Sequence, residues 1–175
     1  MRIALVSPYS WTYPGGVTRH IEALAECFFG LRHEVRVLAP HDPPDRITRV
    51  LHRGASPQAL PAPDYLIPLG RTVGIRANGA VSNVSLTPHG MATLHRELRT
   101  GGYDVVHIHE PIAPAIGWFA TDWTPLPLVA TFHTYNEHWF SHGIATLLGV
   151  RRMLNRLHVR IAVSEPAAWT GRRFF

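Results

Sequence analysis

Lysine is missing from this chain of 175 residues: its seventeen basic side chains are all arginine, set against twelve acidic ones for a formal charge of +5. A charge carried wholly by guanidinium is not titrated away near neutral pH, and its planar fork suits phosphate and carboxylate oxygens. An anionic partner is therefore expected. Cysteine is as scarce: Cys27 stands alone, which excludes an internal disulfide framework and fits a reducing compartment, the cytosol. Cys27 falls within a helical pattern and is expected in the core. No run of about 18 apolar residues is present to cross a bilayer, and "MRIALVSPYS" is too short for the apolar core of a signal peptide. Membrane contact is thus expected only as peripheral contact, at the inner face. The dinucleotide fingerprint G-x-G-x-x-G is absent, as is the Gly-Lys-Ser/Thr ending of a P-loop. Nucleic acid is not expected as a partner, because the arginines are scattered and no recognition motif accompanies them.

What is present reads as one ordered domain. Apolar residues make up 46% and charged residues 17%, a balance that supports a buried core, while fifteen prolines imply long irregular connections. Residues 2–7, "RIALVS", form an apolar run closed by Pro8 and read as a strand buried on both faces. Val17, Ile21, Leu24, Phe28 and Leu31 then recur at spacings of four and three, one face of a helix with Gly30 as its stop. "HEVRVLAP", 33–40, is a second strand, and strand, helix, strand implies a right-handed parallel crossover. Residues 40–63 read mostly as loop, with one short strand at "RITRVLH". Asn78-Gly79 between two extended runs is the signal of a tight hairpin. Alternation resumes with a helix over 88–100 closed by Gly101-Gly102, a strand over 103–110, a helix over 112–121 and a strand over 127–134. A long helical segment over 136–158 leads to a last strand at 160–165. The expected fold is α/β: a Rossmann-like parallel sheet with helices on both faces and an inserted β-hairpin.

In such a sheet, ligands bind outside the carboxyl ends of the strands, where strand order reverses. Four strands here end in polar or special residues: Ser7-Pro8-Tyr9, His109-Glu110, His133-Thr134 and Ser164-Glu165. They converge on one rim. Between the first strand and first helix lies "YPGG", where Gly15 and Gly16 either leave backbone open at a helix N-terminus, a place that attracts phosphate, or simply let the chain turn. Twelve histidines raise the possibility of a metal, and His138 with His142 has helical i, i+4 spacing. The surrounding "HWFSHG" lacks a zincin glutamate, so no metal is expected. His107 is expected to be buried or hydrogen-bonded within the sheet; His109, beside Glu110, is expected to touch ligand; and His133, at the same rim, either donates a hydrogen bond, adjusts charge near neutral pH, or is simply a satisfied loop histidine. "VRRMLNRLHVR", 150–160, sets an apolar stripe against arginines and reads as an amphipathic helix on its own sheet.

"PYSWTYPGGVTRH", "DVVHIHEP", "VATFHT" and "RIAVSE" occur in this order, with similar spacing, in one family. The chain resembles the N-terminal half of retaining GT-B glycosyltransferases of the glycosyltransferase group 1 type, most closely their phosphatidylinositol mannosyltransferase branch. The resemblance implies a nucleoside-diphosphate sugar, with GDP-mannose as the family's example, as co-substrate rather than any bound cofactor. It implies Gly15 and Gly16 as the loop approached by the donor diphosphate, and His133 as the active-site histidine that contacts the transferred sugar. Tyr9, Thr18, Asn78, His109, Glu110 and Thr134 would line the acceptor cleft. It further implies that residues 1–175 are the acceptor-side domain, that a donor-binding domain or a partner chain completes the cleft, and that the chain alone is nearly inactive. Two departures stand out: Thr18 replaces a glutamine, and Ala77, Ala80 and Asn83 replace the hairpin's Tyr, Ser and Arg, so the acceptor is left open among lipid, glycan and small molecule. Half of a nucleotide-sugar 2-epimerase, or a non-catalytic module that pairs with another chain, remain as alternatives.

Overall fold

A computed structural model describes residues 1–52, 62–77, 80–85, 87–135 and 149–173. Strand β1 (Arg2–Val6) runs through the centre of the molecule. Its alternate residues serve two separate cores: Ile3 and Leu5 join Ile21, Ala25, Val35 and Val37, whereas Ala4 and Val6 join Leu94, Val106, Ile108 and Leu128. That two-sided burial is what an apolar run without polar alternation demands. Helix α1 (Gly16–Gly30) covers the first side and leads to β2 (Glu34–Ala39), parallel to β1.

The 40–63 region departs from expectation. "RITRVL" is a helix, α2 (Arg46–Leu51), not a strand. The Asp45 side chain caps it, accepting from the Thr48 amide at 2.9 Å, and Arg71 clasps both oxygens of Asp45 at 2.7 and 2.6 Å. A cap and a distant guanidinium outweigh the β-branched residues that suggest a strand. The next strand follows this region: β3 (Leu66–Pro68), which pairs with β2.

Strands β4 (Thr72–Ala77) and β5 (Ala80–Ser85) form an antiparallel pair whose register closes at Ala77 opposite Ala80. The connection at 78–79 lies outside the described residues. Helix α3 (Pro88–Thr100) begins as expected, with Thr87 capping the Gly90 amide. It is followed by β6 (Val105–His109), α4 (Ile116–Trp123) and β7 (Leu128–Phe132). Helix α4 starts four residues later than its periodicity suggests, because Glu110 and Ala115 adopt left-handed backbone at φ 54° and 62° and spend the intervening residues on a turn. Of the expected 136–158 helix, residues 149–158 fall within the described residues; only α5 (Val150–Leu154) is helical there, residues 155–158 turn, and Val159 and Arg160 of the expected 150–160 amphipathic helix already belong to the next strand. Strand β8 (Val159–Ala162) and α6 (Glu165–Arg172), a helix not read from the sequence, end the described chain.

The six parallel strands are ordered β3-β2-β1-β6-β7-β8, the arrangement of a doubly wound Rossmann-like sheet with the β4–β5 hairpin inserted. Cys27 corrects a further expectation: it is exposed, because α1 buries the stripe through Thr18, Ile21 and Ala25 instead. Among the described residues no helix is long and apolar enough to cross a membrane.

Candidate functional site at the strand-order switch

The order of strands reverses between β1 and β6, so their carboxyl ends open a crevice. The sequence features of the rim meet there. Tyr9, partly buried, follows β1; Gly15 and Gly16 are exposed at the start of α1; His133 and Thr134, partly buried, follow β7. His109 and Glu110, at 0% and 1% exposure, sit one layer behind this surface, as does Thr18 at 1%. They support the wall and present no face of their own to solvent. Asn78 lies outside the described residues.

The two glycines are informative through what they do not need. Gly15 has φ −119°, an ordinary extended value, and Gly16 is not in the left-handed region. Among the described residues, a Cβ built on either meets no atom within 4 Å beyond its own chain neighbours and helix backbone. Neither backbone geometry nor packing among these residues requires glycine at these positions, which weakens the sharp-turn reading. Gly15 also provides no side-chain cap, leaving the first amides of the fifteen-residue helix without a side-chain acceptor at this end.

Glu110 ties two strand ends together. Its positive φ turns the side chain toward β7, where Oε2 accepts the amide of His133 at 3.0 Å and that of Thr134 at 2.9 Å. Oε1 is buried and has no hydrogen-bond partner among the described residues. Burial pushes the carboxyl up to about 7, against the pull of the hydrogen bonds from Thr134 and the His133 amide. Burial, and secondarily the Glu110 charge, pushes the Tyr9 hydroxyl well above its usual range.

Beside the carboxylate stands a stack of imidazoles. His107 meets Thr131 Oγ1 through Nε2 at 2.7 Å and stacks on His109 with ring centres 4.4 Å apart. His109 Nδ1 lies 3.1 Å from His133 Nε2. His20, on the second turn of α1, meets both rings edge-on, at 5.5 Å and 5.1 Å. Burial lowers His107 and His133 to about 4, with neighbouring imidazoles adding to the effect, and holds His109 well below its usual value. These three rings are neutral at pH 7. Among the described residues no group of His, Cys, Asp or Glu side chains is arranged to hold a metal ion; His138 and His142 lie outside the described residues.

Reading the sequence missed His20. Its signal is faint: only its place four residues after Gly16, on a helix whose N-terminus faces the rim, brings it near. A second network was also missed. Asp42, fully buried, accepts from Ser10 Oγ at 2.6 Å, the Thr72 amide at 2.8 Å and Thr72 Oγ1 at 2.7 Å, and its own amide donates to Thr12 Oγ1 at 2.8 Å. This joins the loop carrying Tyr9 and the glycines to the first residue of β4.

Comparison with known proteins bears on this geometry. The model of Glycosyltransferase Family 4 matches residues 14–175. The chain is 36% identical over 168 residues to the phosphatidyl-myo-inositol mannosyltransferase of Mycobacterium leprae, covering 95% of this chain and 40% of that protein. Identity to the enzyme of the same name from Mycobacterium tuberculosis strain H37Rv is 38% over 168 residues, with 95% and 40% covered. For that of Propionibacterium freudenreichii it is 34% over 173 residues, with 96% and 42% covered. The chain therefore spans about two fifths of the length of these curated relatives. With a doubly wound sheet, a rim at its switch point and a family match over nearly its whole length, the chain belongs to Glycosyltransferase Family 4 and has the Rossmann-like architecture of a GT-B glycosyltransferase N-terminal domain.

Proposed function

We propose that the full-length protein transfers a sugar from a nucleoside-diphosphate sugar to an acceptor with retention of anomeric configuration, and that this chain supplies the acceptor-side wall of the site. Mannose is the sugar of choice, by the names of the relatives. The observation that carries the reading is the open space at Gly15 and Gly16: two glycines that nothing among the described residues requires stand at a helix N-terminus on the switch-point rim. Such a surface lets a diphosphate reach backbone amides where a side chain would intervene.

His133, neutral and partly buried, faces the same crevice and contacts the transferred sugar in this reading. As the diphosphate departs, positive charge develops at the anomeric carbon, and fixed dipoles stabilise it better than mobile water does. Glu110 has little accessible surface and two backbone amides on Oε2, which suits holding the His133 loop and not attacking a sugar. Cationic groups for the departing diphosphate would come from a second domain, so the 175-residue chain alone is expected to transfer little.

The test uses the full-length protein with GDP-mannose and a set of UDP sugars, against lipid, glycan and small-molecule acceptors, with the anomeric configuration of product read by NMR. Acceptor-dependent product with retained configuration is expected. An inverted product, or an isomerised nucleotide sugar formed without acceptor, would sink the proposal.

A further inference from the structure

The contact between His109 and His133 contains a choice that the surrounding atoms resolve. Both rings are neutral near pH 7, since burial lowers each, so the 3.1 Å contact between His109 Nδ1 and His133 Nε2 holds a single proton. If His133 Nε2–H donates, His109 must carry its own proton on Nε2. That nitrogen is buried and has no hydrogen-bond partner among the described residues. A buried N–H without an acceptor is rarer in folded proteins than an acceptor with a lone pair to spare. If instead His109 Nδ1–H donates, its Nε2 is a bare acceptor and no N–H is orphaned.

The neighbours hold the donating ring in place. His107, anchored to Thr131 Oγ1 at 2.7 Å, stacks against His109 with an interplanar angle of 24°. Glu110 Oε2 fixes the backbone of His133 from the other side through its amide.

We propose that His109 is a positioning residue: by donating Nδ1–H to Nε2 of His133 it holds that ring as the Nδ1–H tautomer, so that His133 offers a hydrogen-bond donor, not a base, to a ligand oxygen at the rim. The ligand in this statement rests on the reading of His133 given under the proposed function. The tautomer does not.

The experiment is a two-bond proton–nitrogen correlation spectrum of the full-length protein labelled with nitrogen-15 in histidine, at pH 7 without ligand. His133 signals are assigned by their loss in His133→Gln. The wild-type ring should show the Nδ1–H pattern. In His109→Phe it should shift toward the Nε2–H form that imidazole favours in water, and in His109→Asn, whose amide can donate from near the Nδ1 position, the original pattern should return. An Nε2–H pattern in the wild type, or an Nδ1–H pattern that survives in His109→Phe, overturns the proposal. The wild-type spectrum decides alone if His109→Phe does not fold. Transfer assays separate the two readings: unimpaired transfer by His133→Gln would remove the sugar contact, whereas the tautomer is judged on the spectra.

Discussion

Gly16 is the residue at which function and fold separate most cleanly. Because a Cβ there meets nothing within 4 Å, Gly16→Val should leave stability within about 1 kcal/mol of the wild type. Transfer by the full-length protein should nevertheless fall by about a hundredfold or more, since the reacting groups would be displaced. Urea denaturation alongside an assay checks both; survival of activity would return the glycines to the status of a turn. Glu110 and the histidines make a second claim, on pH. The folded pKa of Glu110 is raised to about 7, so the stability it contributes is complete below its unfolded value and is lost as pH rises toward 7, by about 3 kcal/mol in all. His107 and His133 are lowered to about 4, so their contribution is lost in the opposite direction, as pH falls from about 6.5 to 4. The two effects fall in the same window, about pH 4.5 to 7, with opposite signs, and two histidines outweigh one glutamate there. Stability measured by urea unfolding should therefore rise from about pH 4 and level off near pH 7. In Glu110→Gln the opposing effect is gone and the rise should be steeper, by up to about 3 kcal/mol across the window. An unchanged rise in that variant would show that Glu110 does not titrate as described.

Among the elements, the loop after β1 matters most, because it carries Tyr9 and both glycines yet has no sheet bonds of its own beyond Ser7 and Trp11. Asp42 holds it. Its carboxylate takes Ser10, the Thr72 amide and the Thr72 hydroxyl, and His52 approaches within 3.6 Å while stacking on Tyr13. Asp42→Ala would leave those buried donors unpaired and should cost about 3 kcal/mol or more. Asp42→Asn should recover part of that, because the two hydroxyls can turn to accept from the new amide. Denaturation midpoints at unchanged slope are the readout, and equal losses for the two variants would count against the network. None of this was readable beforehand. Ser10, Thr12, Asp42 and Thr72 are small polar residues in loops or at a strand start, and only folding brings positions 30 residues apart together. Helix α2 was misread for the same reason: its sequence favours a strand, but Asp45 and Arg71 outvote local preference.

For the whole molecule, the unresolved feature is the sheet edge at β8. Val159 and Ile161, two apart on β8, are 49% and 43% exposed and share one face of the edge strand, and Val163 just beyond it is 47% exposed. An apolar edge of this kind pairs readily with other chains. The 175-residue chain alone should therefore self-associate, and Ile161→Lys should shift it toward monomer in sedimentation velocity without changing its helix content. Monomeric behaviour of the unmodified chain at high concentration would contradict this.

The sequence by itself determined the order of strands and helices in most of the chain, both faces of β1, and which strand ends carry polar groups. These follow from local periodicity, caps and glycine placement, and parallel strands necessarily put their carboxyl ends on one edge. It also determined where to look, at Gly15, Gly16, Glu110 and His133. Tertiary structure alone decided how those groups are layered. Thr18, His109 and Glu110 lie beneath the surface, His20 arrives from α1, and Cys27 turns outward. The physical reason is distance along the chain: the 24 residues between His109 and His133, and the 23 between Glu110 and the His133 amide, are closed by neighbouring β6 and β7. No local pattern encodes the side of a strand end on which a second strand will lie.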